Sequence, residues 1–251
     1  MSAAAPPGVH VRIARLAYAD SLIFSGFSLK LEAARCTCLL GRSGSGKSSL
    51  LRALAQLLSA SVCELQIECS DHLPLTGRVA YMAQEDLLLP WLNVLDNVTL
   101  GHRLRDRSHN RPEVRDRATR LLSDVGLRGS ARAAPGELSG GMRQRAAIAR
   151  TLMEDQPVVL MDEPFSALDA ITRLDLQNLA ARLLRKRTLL LITHDPLEAL
   201  RLGDAVYTLD GRPANLSEPL RPRGPAPRPA GDEQLLALQA RLLGQLSASV
   251  P

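Results

Sequence analysis

The segment GRSGSGKS at residues 41–48 constrains the fold of this chain more than any other part of its sequence. It follows an apolar run that ends at Leu40, and leucines at helical spacing continue to Leu58, so the segment joins a strand to a helix. Its pattern is G-x-x-x-x-G-K-[ST], in which backbone N–H groups surround phosphate oxygens and the helix N-terminus contributes a favourable dipole. A flexible Gly/Ser turn is the alternative interpretation, but the complete pattern rarely arises by chance. The segment therefore predicts a phosphate-binding loop, with Lys47 directed at the β- and γ-phosphates of a nucleotide.

A second informative segment is the apolar run Val158–Met161, which is followed by Asp162 and Glu163. A short run without polar residues is typical of a strand buried on both faces of a parallel sheet, and ligands gather beyond the carboxyl ends of such strands. There Asp162 and Ser48 suit a Mg²⁺ ion, and Glu163 suits a general base that polarises a water molecule. A solvated strand end is the alternative, and the neighbouring phosphate-binding loop argues against it.

Strand-like and helical segments alternate over most of the chain, which indicates an α/β fold with a parallel sheet. Residues 9–40 have the pattern of short strands joined by turns, with a hairpin turn at Ala19–Ser21. Leu168–Leu184 has a helical pattern, and Thr188–Thr193 is a second apolar run that predicts a buried strand. Residues 85–156 carry helical periodicity and many arginines, and they predict a helical subdomain.

The segment LSGGMRQR at residues 138–145 narrows the class of nucleotide-binding protein. Together with the two segments above, it resembles the ATP-binding cassette (ABC) ATPases, and the resemblance runs from about residue 9 to residue 210. In that family this signature segment binds the γ-phosphate of the ATP held by the partner subunit, so the resemblance implies a homodimer that sandwiches two ATP molecules. Met142 stands where the family often has glutamine. The implied signature residues are Leu138, Ser139, Gly140, Gly141 and Met142.

The same resemblance assigns further residues to the ATP site. Gln84 corresponds to the glutamine that contacts Mg²⁺ and senses the γ-phosphate, and His194 corresponds to the switch histidine. Tyr18 corresponds to the aromatic ring that stacks on adenine, with simple packing in a β-hairpin as the alternative. The expected catalytic residues are Glu163, His194 and Gln84; the expected Mg²⁺ ligands are Ser48, Gln84 and Asp162; the implied D-loop, which crosses the dimer interface, is Ser166, Ala167, Leu168 and Asp169; and the expected ATP-binding residues are Tyr18, Gly41, Arg42, Ser43, Gly44, Ser45, Gly46, Lys47, Ser48 and Ser49.

Composition and charge limit the other function classes. The formal net charge is +5 and the sequence pI about 9.4, which alone is compatible with nucleic acid, anionic lipid or an anionic substrate. One Trp, three Tyr and three Phe are too few for a row of base-stacking aromatic residues, but composition alone does not decide among these partners. With the resemblance to ABC ATPases, we expect no nucleic-acid partner. The four cysteines lack the spacing of a zinc site or a disulfide framework. No apolar run approaches the ~18 residues that span a bilayer, and the first residues lack a secretory signal, so we expect a cytosolic protein.

Two uses of an ABC cassette fit these motifs. ABC proteins of translation or DNA repair usually carry two cassettes or a long coiled-coil insertion, whereas this chain has one cassette and no heptad run. The apolar segment EDLLLPWLNVLDN at residues 85–97 corresponds to the groove that receives a coupling helix of the permease in importers. Leu88, Leu89 and Trp91 are therefore expected to be exposed. Packing of these side chains inside the helical subdomain is the alternative.

The resemblance thus implies the ATPase subunit of a bacterial importer, peripheral at the cytoplasmic face of the inner membrane, with separate permease subunits and an extracytoplasmic solute-binding protein. The sequence of residues 73–98 is similar to that of ATPases proposed to serve the uptake of hydroxymethylpyrimidine, a thiamine precursor. Uptake of nitrate, sulfonate or taurine is the alternative. The implied ABC ATPase domain, residues 9–211, has a P-loop core of the RecA type, a small antiparallel β subdomain and the helical subdomain. Residues 212–231 are rich in Pro and Arg and predict a linker, and residues 232–251 predict an amphipathic C-terminal helix.

Overall fold

The computed structural model describes residues 5–19, 21–105 and 111–248. Asp20, which belongs to the predicted hairpin turn, lies outside the described residues. Short 3-10 turns occupy Arg128–Ser130 and Pro135–Glu137. The strands and α-helices are, in chain order, β1 (Val9–Tyr18), β2 (Ser21–Leu31), β3 (Cys36–Gly41), α1 (Lys47–Leu54), β4 (Cys63–Cys69), β5 (Val79–Met82), α2 (Val94–Val98), α3 (Leu100–Arg105), α4 (Pro112–Asp124), α5 (Gly140–Met153), β6 (Val158–Asp162), α6 (Ala170–Leu184), β7 (Thr188–Ile192), α7 (Pro196–Leu202), β8 (Ala205–Asp210), β9 (Asn215–Leu216) and α8 (Glu233–Ala248).

The chain folds as two compact units, each made of more than one stretch of sequence. The first unit consists of the described parts of residues 1–79, 157–163 and 184–251, and the second of residues 80–156 and 164–183. Helices α2 to α5 belong to the second unit, together with α6 up to Leu183. Across the described residues, every helix is too short or too polar to cross a membrane.

A largely parallel sheet with β3 at its centre forms the core of the first unit. β3 pairs in parallel with β7 on one side and with β8 on the other, β6 continues beyond β7, and β9 pairs antiparallel with β8. Every residue of β6 and β7 is buried, which confirms the strands predicted from their apolar runs. Because β3 and β6 run in the same direction, their ends at Gly41 and Asp162 lie at the same edge of the sheet.

A smaller antiparallel sheet, with strand order β2-β1-β4, completes the strands of the first unit. β1 and β2 form a hairpin that pairs Val9 with Leu31 at one end and Tyr18 with Ser21 at the other, with a shift in register between Leu16 and Ala17. Alternate residues of β1 are buried at its start, beginning with Val9 and Val11, as the period of a strand requires. The predicted antiparallel β subdomain is therefore present, and β2 approaches the phosphate-binding loop, as described below.

Several boundaries differ from the sequence prediction for identifiable reasons. Helix α1 ends at Leu54 rather than Leu58, because Gln56 adopts a left-handed conformation with φ of 57°, which helices do not continue through. Strands β4 and β8 are not predicted from the sequence. The central residues of β4 alternate between exposed and half-buried, so its sequence shows only a weak pattern of apolar residues. β8 follows α7 after a short connection.

The Pro/Arg-rich residues 212–231 are predicted as a linker, but the structure makes them part of the first unit. Arg228 is 4% exposed, and its guanidinium donates to the carbonyl oxygens of Leu200 and Gly203 at 2.9 Å each and of Pro222 at 3.0 Å. A positive charge at the end of α7 satisfies carbonyls that the helix leaves without partners. Helix α8 packs on α7. Its apolar stripe is oriented as predicted, with Leu235 and Leu242 buried and Leu238 and Leu246 half-buried.

The second unit is organised around α5, against which α2 and α4 pack. Asn93 begins α2 by accepting a hydrogen bond from the Asp96 N–H at 2.8 Å. Asn97 is fully buried, and its side chain accepts from the Leu89 N–H at 2.8 Å and donates to the Leu92 carbonyl at 3.0 Å. This amide therefore fixes the backbone of the loop that precedes α2.

The burial of Arg228 leads to a stability prediction. Arg228→Met keeps the length of the side chain but leaves buried carbonyls without a charged donor, and hydrogen bonds to charged groups contribute about 1.5–3 kcal/mol each. We expect the free energy of unfolding to fall by about 2–4 kcal/mol in urea denaturation followed by circular dichroism. Arg221→Met is the matched control, because Arg221 lies in the same segment in an exposed ion pair with Glu32 and should cost less than about 1 kcal/mol. Equal stability of the two variants would mean that the segment is a dispensable linker.

Candidate nucleotide site

Glycines allow the loop between β3 and α1 to pass close to its neighbours. A Cβ at Gly41 would lie 2.8 Å from a backbone oxygen of β8, so no larger residue fits. Gly46 has φ of 95°, and a Cβ there would lie 2.5 Å from Cγ2 of Ile23 in β2. Gly44 is also left-handed, with φ of 79°. Turns of this kind direct successive backbone N–H groups toward one concave surface, which binds phosphate oxygens.

Lys47, the first residue of α1, is buried in this loop. Its Nζ donates to the carbonyl oxygens of Gly41 and Arg42, at 2.8 Å each. Burial lowers the pKa of Lys47, while the negative charges of Glu163 and Asp162 oppose that shift. Neutral carbonyls are weaker partners for an ammonium group than phosphate oxygens are, so Lys47 is placed to exchange them for a polyphosphate.

Ser45 supplies a second observation that fits a nucleotide. Among the described residues, its Oγ is buried and has no hydrogen-bond partner. A buried hydroxyl without a partner costs free energy, and a phosphate oxygen would accept a hydrogen bond from it. Ser43 and Ser49 flank the same turn; Ser43 is exposed and Ser49 is half-buried.

Asp162 and Ser48 lie together at the carboxyl edge of the parallel sheet. Asp162, the last residue of β6, is 3% exposed, and the Ser48 side chain hydrogen-bonds to it. Burial raises the pKa of Asp162, and the Ser48 hydrogen bond partly offsets the rise. A carboxylate beside a hydroxyl is a suitable pair of oxygen ligands for Mg²⁺, whose charge would also remove the penalty of burying the carboxylate.

Glu163 and His194 form a hydrogen-bonded pair beyond the ends of β6 and β7. His194 Nδ1 is 3.0 Å from Glu163 Oε2, and the histidine side chain is 63% exposed whereas that of Glu163 is 17% exposed. Glu163 has φ of 47°, and its N–H donates to the Ile192 carbonyl at 2.9 Å, so a strained backbone fixes its position. A half-buried carboxylate oriented by an imidazole can accept a proton from water.

In the second unit, the signature segment forms the start of α5. Ser139 caps the helix by accepting from the Met142 N–H at 3.3 Å, and Leu138 is buried while Ser139 and Gly140 are exposed. A Cβ at Gly141 would lie 3.4 Å from the Ala167 carbonyl oxygen, so the predicted D-loop lies against the signature. The exposed helix N-terminus can bind an anion.

The predicted D-loop leads into α6. Asp169 begins the helix, because its carboxylate accepts from the Thr172 N–H at 3.0 Å, and such backbone hydrogen bonds lower the pKa of Asp169. Leu168 is buried, whereas Ser166 and Ala167 are exposed. The arrangement leaves these two residues accessible to another protein.

Tyr18 and Gln84 are placed less specifically. Tyr18 is 37% exposed at the end of β1, and Gln84 is exposed just after β5 in the second unit. Their roles as adenine platform and Mg²⁺ ligand stay predictions. Arg212 is not predicted from the sequence as a site residue, although its Nη2 lies 3.3 Å from the Gly44 carbonyl oxygen. Its position within a Pro/Arg-rich segment gave no signal that it would reach the loop.

The apolar segment after Gln84 is only partly exposed. Trp91 is 75% exposed and Leu87 57% exposed, as a surface for a partner requires. The expected exposure of Leu88 is wrong, because the Asp86 carboxylate accepts its N–H at 3.0 Å in a turn that directs the side chain inward, leaving it 8% exposed. Leu89 is half-buried. We call Leu87, Pro90 and Trp91 the apolar surface.

Known proteins are similar in sequence to this chain over almost its whole length. A model of the family described as ABC transporter matches residues 24–166. An aliphatic sulfonates import ATP-binding protein, SsuB 2, of Burkholderia cenocepacia (strain HI2424) is 41% identical over 241 residues, which cover 95% of this chain and 87% of that protein. Another, SsuB 1 of Rhodococcus jostii (strain RHA1), is 43% identical over 231 residues, covering 91% of this chain and 89% of that protein. The chain belongs to the ABC transporter family.

The ABC ATPase fold predicted from the sequence is confirmed by solved structures. The dimeric post-hydrolysis structure of the ATP-binding cassette MJ0796, bound to ADP and Pi, matches with a TM-score of 0.73 and 27% identity, covering 86% of this chain and 99% of that chain. The chain is thus an ABC-type ATPase, as the phosphate-binding loop and the signature indicate. The roles of its individual site residues stay predictions.

The raised pKa of Asp162 predicts an effect of pH on stability. Because the folded state holds this proton more tightly than the unfolded chain does, ionised Asp162 destabilises the nucleotide-free protein above its folded pKa. The penalty disappears below the ordinary value of about 3.9. We expect Asp162→Asn to raise the free energy of unfolding at pH 7, with the gain shrinking as the pH falls toward about 4, and to weaken Mg²⁺-dependent ATP binding.

The measurement is urea denaturation at several pH values, with and without Mg²⁺ and ATP. Asp71→Asn is the control with the opposite sign, because the hydrogen bond from Arg78 lowers the pKa of Asp71 and its charge stabilises the fold above the ordinary pKa. Loss of stability by Asp162→Asn at pH 7 would show that the charge is already compensated in the empty protein.

Proposed function

We propose that this chain is the ATP-hydrolysing subunit of a bacterial importer and that it works as a homodimer with separate permease subunits. The observation that carries the importer role is the similarity to import ATP-binding proteins over 95% of the chain, including the C-terminal segment. A peripheral position at the cytoplasmic face of the membrane follows, because the permease would hold the subunit there. An extracytoplasmic solute-binding protein would complete the system.

The proposed chemistry assigns one task to each group. Lys47 and the loop N–H groups bind the polyphosphate, and Ser48 and Asp162 would hold Mg²⁺, which neutralises phosphate charge. Glu163 accepts the proton of the attacking water. His194 orients that carboxylate through the 3.0 Å contact and, being largely exposed, remains available to the γ-phosphate.

Dimer formation explains which residues are exposed. Ser139 and Gly140 present a helix N-terminus to solvent, and Ser166 and Ala167 are exposed beside it. An exposed helix N-terminus carries partial positive charge and suits the γ-phosphate of a second copy. The solved MJ0796 cassette is itself dimeric. ATP bound between two copies would favour the closed dimer, and hydrolysis would remove that preference.

Arginines of α5 connect the apolar surface to the signature. Arg150 donates to the Leu87 carbonyl at 2.8 Å and to the Asp86 carbonyl at 2.6 Å. Arg143 donates to the Asp86 carboxylate at 3.0 Å and to the Leu138 carbonyl at 2.9 Å. The segment before Trp91 is therefore tied to the helix that begins at the signature, which suits a surface that reports ATP binding to a permease.

The solute is proposed from the relatives, because no part of this chain would meet it. Two proteins with more than 40% identity are named for import of aliphatic sulfonates, which favours the sulfonate alternative over hydroxymethylpyrimidine. In proteoliposomes holding the cognate permease and binding protein, we expect a straight-chain alkanesulfonate to stimulate ATP hydrolysis and hydroxymethylpyrimidine to have no effect. The reverse result would restore the pyrimidine hypothesis and leave the importer role intact.

The assignment of Glu163 is tested by a substitution that preserves its shape. Glu163→Gln removes the proton acceptor, and the loss of a general base lowers rates by about 10²–10⁴. We expect hydrolysis to fall by that factor while ATP binding, measured by calorimetry, is retained and an ATP-dependent dimer accumulates in size-exclusion chromatography. Glu113→Gln, an exposed change on α4, is the control and should behave like the parent. Parental hydrolysis by Glu163→Gln would exclude Glu163 as the base.

The apolar surface is tested at Trp91. Since this side chain is 75% exposed, Trp91→Ala should change the free energy of unfolding by less than about 1 kcal/mol. Assembly with the permease should weaken by about 30-fold or more, which corresponds to the ~2 kcal/mol of an interface anchor. Leu104→Ala, at a 76% exposed leucine of α3 in the same unit, is the control for simple loss of exposed apolar area.

Two outcomes would contradict this proposal. A loss of about 3–5 kcal/mol of stability would indicate that Trp91 packs in the interior. Unchanged assembly of Trp91→Ala would remove the main argument for permease docking at this surface and would favour a non-transport role for the ATPase. Neither outcome affects the assignment of the ATP site.

A further inference from the structure

The turn between β8 and β9 lies beside the phosphate-binding loop and carries an arginine that contacts it. Arg212 is exposed, and its Nη2 donates to the Gly44 carbonyl oxygen at 3.3 Å. If Gly44 had a Cβ, that atom would lie 3.3 Å from the same nitrogen, so the guanidinium lies directly against the backbone of the loop.

The turn holds its position without help from the arginine side chain. The Ala214 N–H donates to the Ile23 carbonyl of β2 at 2.8 Å, and the Gly211 N–H donates to the Asp210 carboxylate at 2.8 Å. Asn215 Nδ2 donates to the Pro213 carbonyl at 3.2 Å. Hydrogen bonds that do not involve the Arg212 side chain thus place residue 212 at the loop, so we expect its side chain to be replaceable with little effect on the turn.

The contact fixes one peptide plane in the middle of the loop. The Gly44 carbonyl and the Ser45 N–H belong to the same trans peptide and point in opposite directions. Arg212 binds the carbonyl, and the Arg42 carbonyl accepts the Ser45 N–H at 3.2 Å. Because glycine has access to more backbone conformations than other residue types, the hydrogen bond from Arg212 adds a second restraint to the plane at Gly44, beside the one made by the Ser45 N–H.

We propose that Arg212 is a positioning residue of the ATP site: it holds the Gly44–Ser45 peptide plane, keeps the loop in its phosphate-binding shape and so sets the affinity for nucleotide. Lys47 binds the carbonyls of Gly41 and Arg42 from inside the loop, and Arg212 binds that of Gly44 from outside. Two cations thus hold three carbonyl oxygens of this loop, one cation on each side of it. The proposal concerns the ATPase itself and does not depend on the importer role.

The first test separates binding from chemistry. In Arg212→Met the donor is lost, and we expect the dissociation constant for ATP, measured by calorimetry, to rise about 3–10-fold, as for the loss of one modest hydrogen bond. The rate at saturating ATP should remain within about twofold of the parent, because Glu163 and His194 are untouched. Arg212→Lys keeps one donor on a long side chain and should recover most of the affinity. Arg221→Met, in the same segment, is the control and should bind ATP normally.

The second test distinguishes positioning from a direct contact between the guanidinium and the phosphates. Hydrogen exchange of the nucleotide-free protein should be faster over residues 42–46 in Arg212→Met than in the parent or in Arg221→Met. Weaker ATP binding with unchanged exchange would overturn the positioning role in favour of a direct phosphate contact. Parental ATP affinity of Arg212→Met would overturn the proposal altogether.

Discussion

The burial of opposite charges at one edge of a parallel sheet is the constraint on which the rest of the first unit depends. Lys47 is 7% exposed and Asp162 is 3% exposed. Burial lowers the pKa of Lys47 and raises the pKa of Asp162, so it favours the neutral form of both side chains. Buried charges cost several kcal/mol unless they are paired or hydrogen-bonded. The loop carbonyls and the Ser48 hydroxyl partly offset this cost, and a polyphosphate with its metal would complete the compensation. Binding of nucleotide is therefore expected to stabilise this edge of the sheet.

The buried strands and the residues just beyond their ends together fix the positions of the charged side chains. All residues of β6 and β7 are buried, so these strands cannot shift without losing core contacts, and they fix where Asp162 and His194 emerge. Glu163 then adopts a left-handed conformation one residue beyond its strand. Such strain persists only where the surroundings enforce it. The rigid strands therefore determine the position of the carboxylate, and the exposed histidine beside it keeps freedom to respond to ligand.

The sequence predicted the buried strands and the loop between β3 and α1 better than it predicted the contacts around them. Strands β6 and β7 were predictable because both faces are apolar, and the loop because its glycine and lysine spacing is specific. Burial of Leu88 was not predictable, since the turn at Asp86 decides which of three successive leucines faces inward. Arg228 could not be distinguished from surface arginines, because its carbonyl partners on α7 come from a distant part of the chain. Contacts that bring distant backbone groups to one side chain leave no local pattern.

In the second unit, α5 fixes the position of the signature, as the parallel sheet fixes the position of the phosphate-binding loop in the first unit. The Asp86–Leu87 backbone and the Leu138 carbonyl receive charged donors from Arg150 and Arg143 of this one helix. Each such hydrogen bond contributes about 1.5–3 kcal/mol, which is several times the thermal energy. A force on the apolar surface would act on α5 through these hydrogen bonds. Because Ser139 begins that helix, the proposed docking of a permease at Trp91 would be connected to the signature through one helix.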